Sequence, residues 1–274
     1  MFSKGIKSWY ILLFAVLITA CTGYNKVVKS TDSEFKYKKA VQYYEEKKYG
    51  LAYPLFEDLI PVFRGTTKGE YVAYYRAMCY YKLEDFPSAG ILLKTFGKTF
   101  PKSELAEEST FLGAMCTFYQ SPKYSLDQSE THNALNDFQL FLNRYPSTPK
   151  RDTVNLMMIQ CREKLERKSF EIAELYFQTE HYKSAVIAFE NTLKDYPNTK
   201  YEEQLLLMMV EANYNLATNS VQEKTRERLE ATVKAYQRYI DKYSQSKSAK
   251  QAETFYKLAV LQLEKINKQQ LSAL

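Results

Sequence analysis

Beyond Ser33 the chain carries apolar residues three and four positions apart almost to its end, the period that turns one face of an α-helix toward a core. The predicted helices repeat. Ala77, Tyr80, Phe86, Ala89, Leu93, Phe96 and Pro101 follow at spacings of 3, 6, 3, 4, 3 and 5. Ala40, Tyr43, Tyr49, Ala52, Phe56 and Leu59 open with the same series, and Ala173, Tyr176, Tyr182, Ala185, Phe189, Thr192 and Pro197 reproduce all of it. Two further copies are stretched. In one, Leu112, Gly113 and Cys116 mark a first helix and Ala134, Phe138, Phe141 and Pro146 a second, with Tyr124 to Ser129 inserted between them. In the other, Glu211 and Tyr214 precede Thr232, Tyr236, Tyr239 and Ser244, and Ala217 to Arg226 reads as the insertion. A last helix from about Ala249 to Ile266 caps the array, as stacked repeats require.

This pattern resembles the tetratricopeptide repeat, a helix–turn–helix unit of about 34 residues with a small residue in each helix and a closing proline. The expected fold is all-α: a right-handed superhelical solenoid of about five such helix pairs with a C-terminal capping helix. The repeats fall at about 34–65, 70–101, 105–147, 166–198 and 202–245, with the cap at 249–267, so the array occupies 34–267. The small residue on one helix lets the aromatic of the next approach closely. A lone helix pair cannot bury that stripe, and stacked neighbours do.

Composition agrees with a turn-poor helical chain. Eight glycines stand against forty-one aromatics, twenty-four of them tyrosine, where average usage near 7% gives about nineteen glycines. Phosphate-cradling loops, doubly wound nucleotide folds and turn-rich sandwiches all consume glycine, and each loses weight. The net charge of +6 is mild and its lysines are scattered, without the basic face and recognition module that nucleic-acid binding needs.

The N-terminus carries a different signal. Lys4 and Lys7 precede ten apolar residues from Trp9 to Ile18, followed by Thr19, Ala20 and Cys21. Ten residues of helix span about 15 Å, half of a bilayer core, so the stretch is too short to cross a membrane. Residues 1–20 read as a secretory signal with a small-residue cleavage site. The cysteine at the junction makes it resemble a bacterial lipoprotein signal, which implies that Cys21 is lipidated and opens the mature chain. The polar stretch that follows, within 21–33, reads as a lipidated tether. Cys79, Cys116 and Cys161 lie in apolar helical stretches and are expected to be small buried residues, their spacing matching no metal or redox motif.

The segment Leu165 to Ala185, the Tyr196-Pro197-Asn198-Thr199 turn, and Phe141-Leu142-Asn143-Arg144-Tyr145-Pro146-Ser147, taken with the lipoprotein signal and the repeat count, resemble the BamD family. These are tetratricopeptide lipoproteins of the outer-membrane β-barrel assembly machinery, and the likeness covers about residues 15–265. It implies a scaffold held to the outer membrane by its acylated cysteine and facing the periplasm. It also implies partners: a BamA-like barrel protein docked by the C-terminal repeats, other assembly-machinery subunits, and C-terminal segments of unfolded outer-membrane proteins received by the N-terminal repeats. There is one departure. Ala188 stands where members often carry an arginine that contacts BamA.

Counting from the repeat positions, the first helices of the first two repeats direct Tyr37, Val41, Tyr44, Glu45, Tyr71, Tyr74, Met78, Tyr81 and Lys82 toward the binding groove of such arrays. Tyr37, Tyr44, Tyr71, Tyr74, Tyr81 and Lys82 form the candidate peptide-binding set. Tyrosine gives contact area at low conformational cost, and a lysine beside it suits a peptide ending in an aromatic residue and a carboxylate. The alternative is that these rings pack against neighbouring helices.

Catalytic chemistry finds no support. Gly97-Lys98-Thr99 imitates the end of a phosphate loop, but Leu92 occupies the place of the required earlier glycine. His132 and His181 are far apart, and the paired acids such as Glu45-Glu46, Glu107-Glu108 and Glu202-Glu203 point to different helix faces. No catalytic residue, metal ligand or cofactor is expected. The functions left open beside barrel assembly are those of other repeat lipoproteins, serving glycan uptake or the peptidoglycan and division machinery.

Overall fold

The computed structural model describes residues 23–272, so Cys21 and the signal sequence lie outside the described residues. All described elements are helices, packed mainly against their neighbours in the chain. They divide into two compact units, residues up to 122 with 126–161, and residues 123–125 with 162–272.

In the first unit, α1 covers residues 23–28. It is followed by α2 (Ser33–Glu45), α3 (Tyr49–Leu59), α4 (Thr67–Lys82), α5 (Phe86–Thr99), α6 (Ala106–Gln120) and α7 (Ser129–Arg144). α8 (Arg151–Gln178) begins in this unit and passes into the second, where α9 (Tyr182–Asp195), α10 (Glu202–Thr218), α11 (Gln222–Tyr243) and α12 (Ala249–Ser272) follow.

The small residues that define the repeat are the most deeply buried. Ala40, Ala77 and Ala173 on first helices, and Ala52, Ala89, Ala134 and Ala185 on second helices, all have no exposed surface. Phe56, Phe138, Phe141, Phe189 and Tyr239 are fully buried against them. Successive cores share helices. Ala52 and Phe56 of α3 meet Val72 and Cys79 of α4, while Ala77 of the same α4 joins Ala89 and Leu93 of α5 and Cys116 of α6. Cys79, Cys116 and Cys161 are buried thiols that fill space as small apolar groups.

Three features depart from the sequence reading. The tether begins as structure: α1 buries Val27, and the Tyr24 ring sits edge-on to Tyr43 at 5.8 Å while its hydroxyl donates to the Leu51 carbonyl at 3.2 Å. One short turn has no room for a visible period, so pattern alone missed it. The first helix of the fourth repeat is longer than 166–198 suggests, because α8 starts at Arg151. The insertion read over Ala217 to Arg226 is mostly helix: α10 runs to Thr218 and α11 starts at Gln222, so the extra residues lengthen helices rather than make a loop.

Turn chemistry explains how so few glycines suffice. Lys47, Glu84 and Glu180 adopt φ of 60° at the turn between the paired helices of the first, second and fourth repeats. Around Glu180 the backbone closes in the usual helix-ending pattern: Glu180 N–H donates to Phe177 O at 3.0 Å and His181 N–H to Tyr176 O at 2.9 Å. A side chain in that left-handed conformation costs about 1–2 kcal/mol, which glycine avoids. Glu180 is exposed. Glu180→Gly is therefore expected to stabilise the protein by roughly 0.5–1 kcal/mol after the added freedom of the unfolded chain is subtracted. A urea midpoint that falls in this variant would contradict the strain.

The repeat junctions share a polar clasp that spacing did not reveal. Thr148 Oγ1 donates to Glu107 Oε1 at 2.7 Å and accepts from Lys150 N–H at 3.1 Å. Thr199 does the same with Glu166, at 2.5 Å, and Tyr201 N–H, at 3.1 Å. Ser103 with Glu70 and Leu105, and Ser246 with Glu203 and Ser248, complete the series. Each hydroxyl ends one repeat, starts the next helix and ties both to a first-helix carboxylate by a charge-assisted bond.

Candidate functional site

The six residues of the expected groove lie on α2 and α4 of the first unit, and their surroundings separate them. Tyr37 stands edge-on to Phe63 at 6.0 Å, with Lys68 Nζ 5.3 Å from its ring centroid. Tyr44 meets Tyr49 at 5.4 Å and Tyr75 at 4.9 Å. Tyr74 meets Tyr75 at 6.1 Å and Phe96 at 5.7 Å, and Tyr81 meets Phe86 at 6.0 Å. All four rings are half-buried and pack against core clusters. They serve the stacking of helices on one side and offer only an edge on the other.

Tyr71 and Lys82 differ. Tyr71 is 44% exposed, and Lys82 is exposed with its ammonium 5.9 Å from the Tyr81 centroid. The helical period puts Tyr71, Tyr74 and Tyr81 near one face of α4, and the exposed ring is the one a turn nearer the start of the helix.

The electrostatics of the packed tyrosines are those of buried phenols. Burial pushes Tyr74 up to about 12, helped by the negative charge of Glu108. Burial, and then Tyr74, Cys79 and Tyr49, push Tyr44 well above its ordinary value of 10.0. Tyr81 is raised by burial and then by Tyr119, to which its hydroxyl is hydrogen-bonded. These rings are neutral at any physiological pH and act through shape and hydroxyl bonding, not charge.

Two residues of this surface were not found by counting. Glu108 on α6 approaches Tyr74 and Tyr81 and pairs with Lys150 at 2.9 Å. Tyr119, 47% exposed, stacks obliquely on Phe86 at 4.7 Å. The count followed the first helices of the first two repeats, and both residues lie on α6 of the third.

In the second unit, Ala188 is half-buried against the cluster built on Phe189 and Tyr239. Two residues on, Glu190 accepts both contacts of Arg238, at 3.0 and 2.8 Å. The Arg238 guanidinium of α11 is thus already paired with the α9 carboxylate two residues beyond Ala188.

Among the described residues no cluster of three or more His, Cys, Asp or Glu is placed to hold a metal ion. His132 and His181 are exposed, and His181 Nδ1 lies 3.0 Å from Thr179 Oγ1. Gly97-Lys98-Thr99 forms the end of α5. Among the same residues no helix is long and apolar enough to cross a membrane. The arrangement offers surfaces for contact.

Comparison with known proteins gives a consistent result. The family model described as YfiO, outer membrane lipoprotein, matches residues 29–229. The outer membrane protein assembly factor BamD of Haemophilus influenzae is 20% identical over 238 residues, which cover 83% of this chain and 91% of that protein. Its counterpart in Pasteurella multocida is 22% identical over 239 residues, 83% and 92% of the two chains. That of Vibrio cholerae is 21% identical over 158 residues, 54% and 66%. Among solved structures, the apo form of RapI aligns over 96% of this chain and 97% of its own at 15% identity and a TM-score of 0.31, too loose a likeness to bear on the fold.

Proposed function

Because the chain belongs to the YfiO family of outer membrane lipoproteins, we propose that it is a non-enzymatic scaffold for outer-membrane protein assembly, anchored through lipidated Cys21 and facing the periplasm. Its relatives are named as assembly factors, and its helix pairs supply extended contact surface. In this reading the C-terminal repeats, with helices α9 to α12, dock a BamA-like barrel protein. The face of α2 and α4 receives C-terminal segments of unfolded outer-membrane proteins. With Ala188 in place of an arginine, the barrel-protein contact rests on other residues of those helices.

The observation that carries substrate reception is the exposed ring of Tyr71 beside the row of packed tyrosines, with Lys82 exposed at the end of α4. A strand-forming C-terminal segment offers an aromatic ring and a carboxylate. Tyr71 and the edges of Tyr37 and Tyr74 suit the ring, and Lys82 suits the carboxylate. Truncating Tyr74 or Tyr81 would also open the core, so they are poor probes. Tyr71→Ala combined with Lys82→Glu alters only exposed groups. It is expected to weaken binding of a barrel-derived C-terminal peptide about tenfold, the worth of one aromatic contact and one charge reversal. Fluorescence anisotropy measures it, and equal affinity in the double variant with unaltered helical CD would remove the site.

A further inference from the structure

We propose that the crevice formed by α5, α6 and α7 in the first unit is a docking site for an acidic, leucine-like apolar segment of a partner polypeptide. It shares no residue with the tyrosine face, and it stands or falls independently of that reading.

The crevice encloses about 490 Å³, and Lys94, Lys98, Ala114, Asp137, Leu140 and Arg144 stand in its lining. That volume is within the range of about 300–1,000 Å³ that holds a small ligand or a few side chains. Its floor is low because the helices approach closely: a Cβ on Gly97 would lie 2.5 Å from Thr110 Oγ1. The wall is apolar at Leu140, which is 65% exposed.

The repeat does not ask for these residues. Leu140 precedes Phe141 as Thr95 precedes Phe96 in the second repeat and Asn191 precedes Thr192 in the fourth. Arg144 likewise stands where those repeats carry Thr99 and Asp195. On one turn of α7 an apolar side chain and a cation thus stand where the second and fourth repeats carry polar or acidic residues, and the fifth repeat shares only the cation, as Lys242.

Charge then selects the occupant. Lys94 is neutralised: its ammonium meets Asp137 Oδ2 at 2.5 Å and donates to Thr117 Oγ1 at 2.8 Å, while Thr117 donates to the same carboxylate at 2.7 Å. Lys98 and Arg144 have no carboxylate in ion-pairing reach among the described residues. Arg144 is held in place rather than satisfied, since one nitrogen donates to Gly97 O at 2.9 Å and the guanidinium lies 5.5 Å from the Tyr145 centroid. An arginine so oriented presents its remaining N–H groups to a carboxylate in forked geometry. The site therefore offers two unpaired cations around one apolar wall. A peptide with a leucine between acids matches it. A lipid acyl chain would need a longer continuous apolar track than Leu140 and Ala114 supply.

The test uses the full-length lipidated protein in detergent and a fluorescein-labelled peptide, Gly-Ser-Asp-Leu-Glu-Gly-Ser, followed by anisotropy. Lys98→Glu and Leu140→Thr change exposed side chains and leave the fold intact. The first is expected to weaken the probe about tenfold or more, the second about fivefold, and a probe with Asn and Gln for its acids should lose a similar factor. Arg144→Gln should weaken it too, and a matching urea midpoint shows that the Gly97 contact was not the cause. The proposal is overturned if the probe does not bind, or if it binds the Lys98→Glu protein equally well. It is also overturned, in favour of a lipid site, if soluble short-chain phosphatidylglycerol binds in a Lys98-dependent way and the peptide does not.

Discussion

Gly69→Ala is expected to destabilise the first unit by about 2–4 kcal/mol, whereas Gly50→Ala should stabilise it by up to about 1 kcal/mol. Both glycines are helical, and the same added methyl has opposite effects. A Cβ on Gly69 would lie 2.1 Å from the Phe63 carbonyl oxygen and 2.9 Å from its carbon. That carbonyl cannot move aside. It accepts from Thr66 N–H at 3.1 Å and from Thr66 Oγ1 at 2.7 Å, while Thr66 Oγ1 accepts from Gly69 N–H at 3.0 Å. The closed ring of bonds caps α4 and allows only a hydrogen on Gly69. Nothing lies within 4 Å of the corresponding position at Gly50, where alanine gains helix propensity alone. Urea denaturation followed by circular dichroism separates the two, and equal midpoints would show that the turn yields.

The second large effect is alkaline. Burial pushes the thiols of Cys79 and Cys116 from an ordinary 9.0 up to about 12, and the Tyr74 phenol from 10.0 to about 12. Tyr44 and Tyr81 are raised further, with the same leading cause. In each case the unfolded chain loses its proton first. Stability is therefore complete below pH 9 and falls as pH rises, through the thiols first and then, above pH 10, through the phenols. The loss by pH 12 is expected to be on the order of 5 kcal/mol, since a tenfold difference in acidity between the folded and unfolded chain is worth about 1.4 kcal/mol at a fully buried group and less at these partly shielded ones. Urea midpoints at pH 8, 9.5 and 11 should fall in that order. A flat profile would mean that solvent reaches these groups. Cys79→Ala with Cys116→Ala should remove the early part of the fall and leave the tyrosine part.

The candidate site was only half legible in the sequence. Repeat counting brought Tyr37, Tyr44, Tyr71, Tyr74 and Tyr81 to one run of first-helix positions, but it could not separate the rings that pack from the ring left exposed. Tyr74 and Phe96 are far apart in sequence and in ring contact in space, and nothing in the spacing of α4 announces that neighbour. Glu108 and Tyr119 escaped for another reason: the count followed the first helices of the first two repeats, and both residues lie on α6 of the third. The serine and threonine clasps were written in the chain as Ser103, Thr148, Thr199 and Ser246. Their role needed the glutamate one repeat earlier, a partner thirty or more residues away.

What the sequence determined by itself was the helical class, the repeat and the buried alanines and aromatics. A period of three and four residues, copied from unit to unit, leaves a stripe that only stacked helices can bury. The expectation of a lipoprotein signal ending at Cys21 and the likeness to barrel-assembly lipoproteins were also read from sequence, because short motifs and repeat counts are local. Tertiary structure decided what local pattern cannot hold. It showed that α1 is part of the core, that the supposed fifth-repeat insertion lengthens helices, and that charged residues occupy the left-handed turns at 47, 84 and 180. It also showed that Lys98, Leu140 and Arg144 converge while Lys94 is already neutralised. Periodicity specifies which face a residue takes on its own helix. Which charge is left unpaired, and beside which ring, depends on atoms brought together from helices distant in the chain.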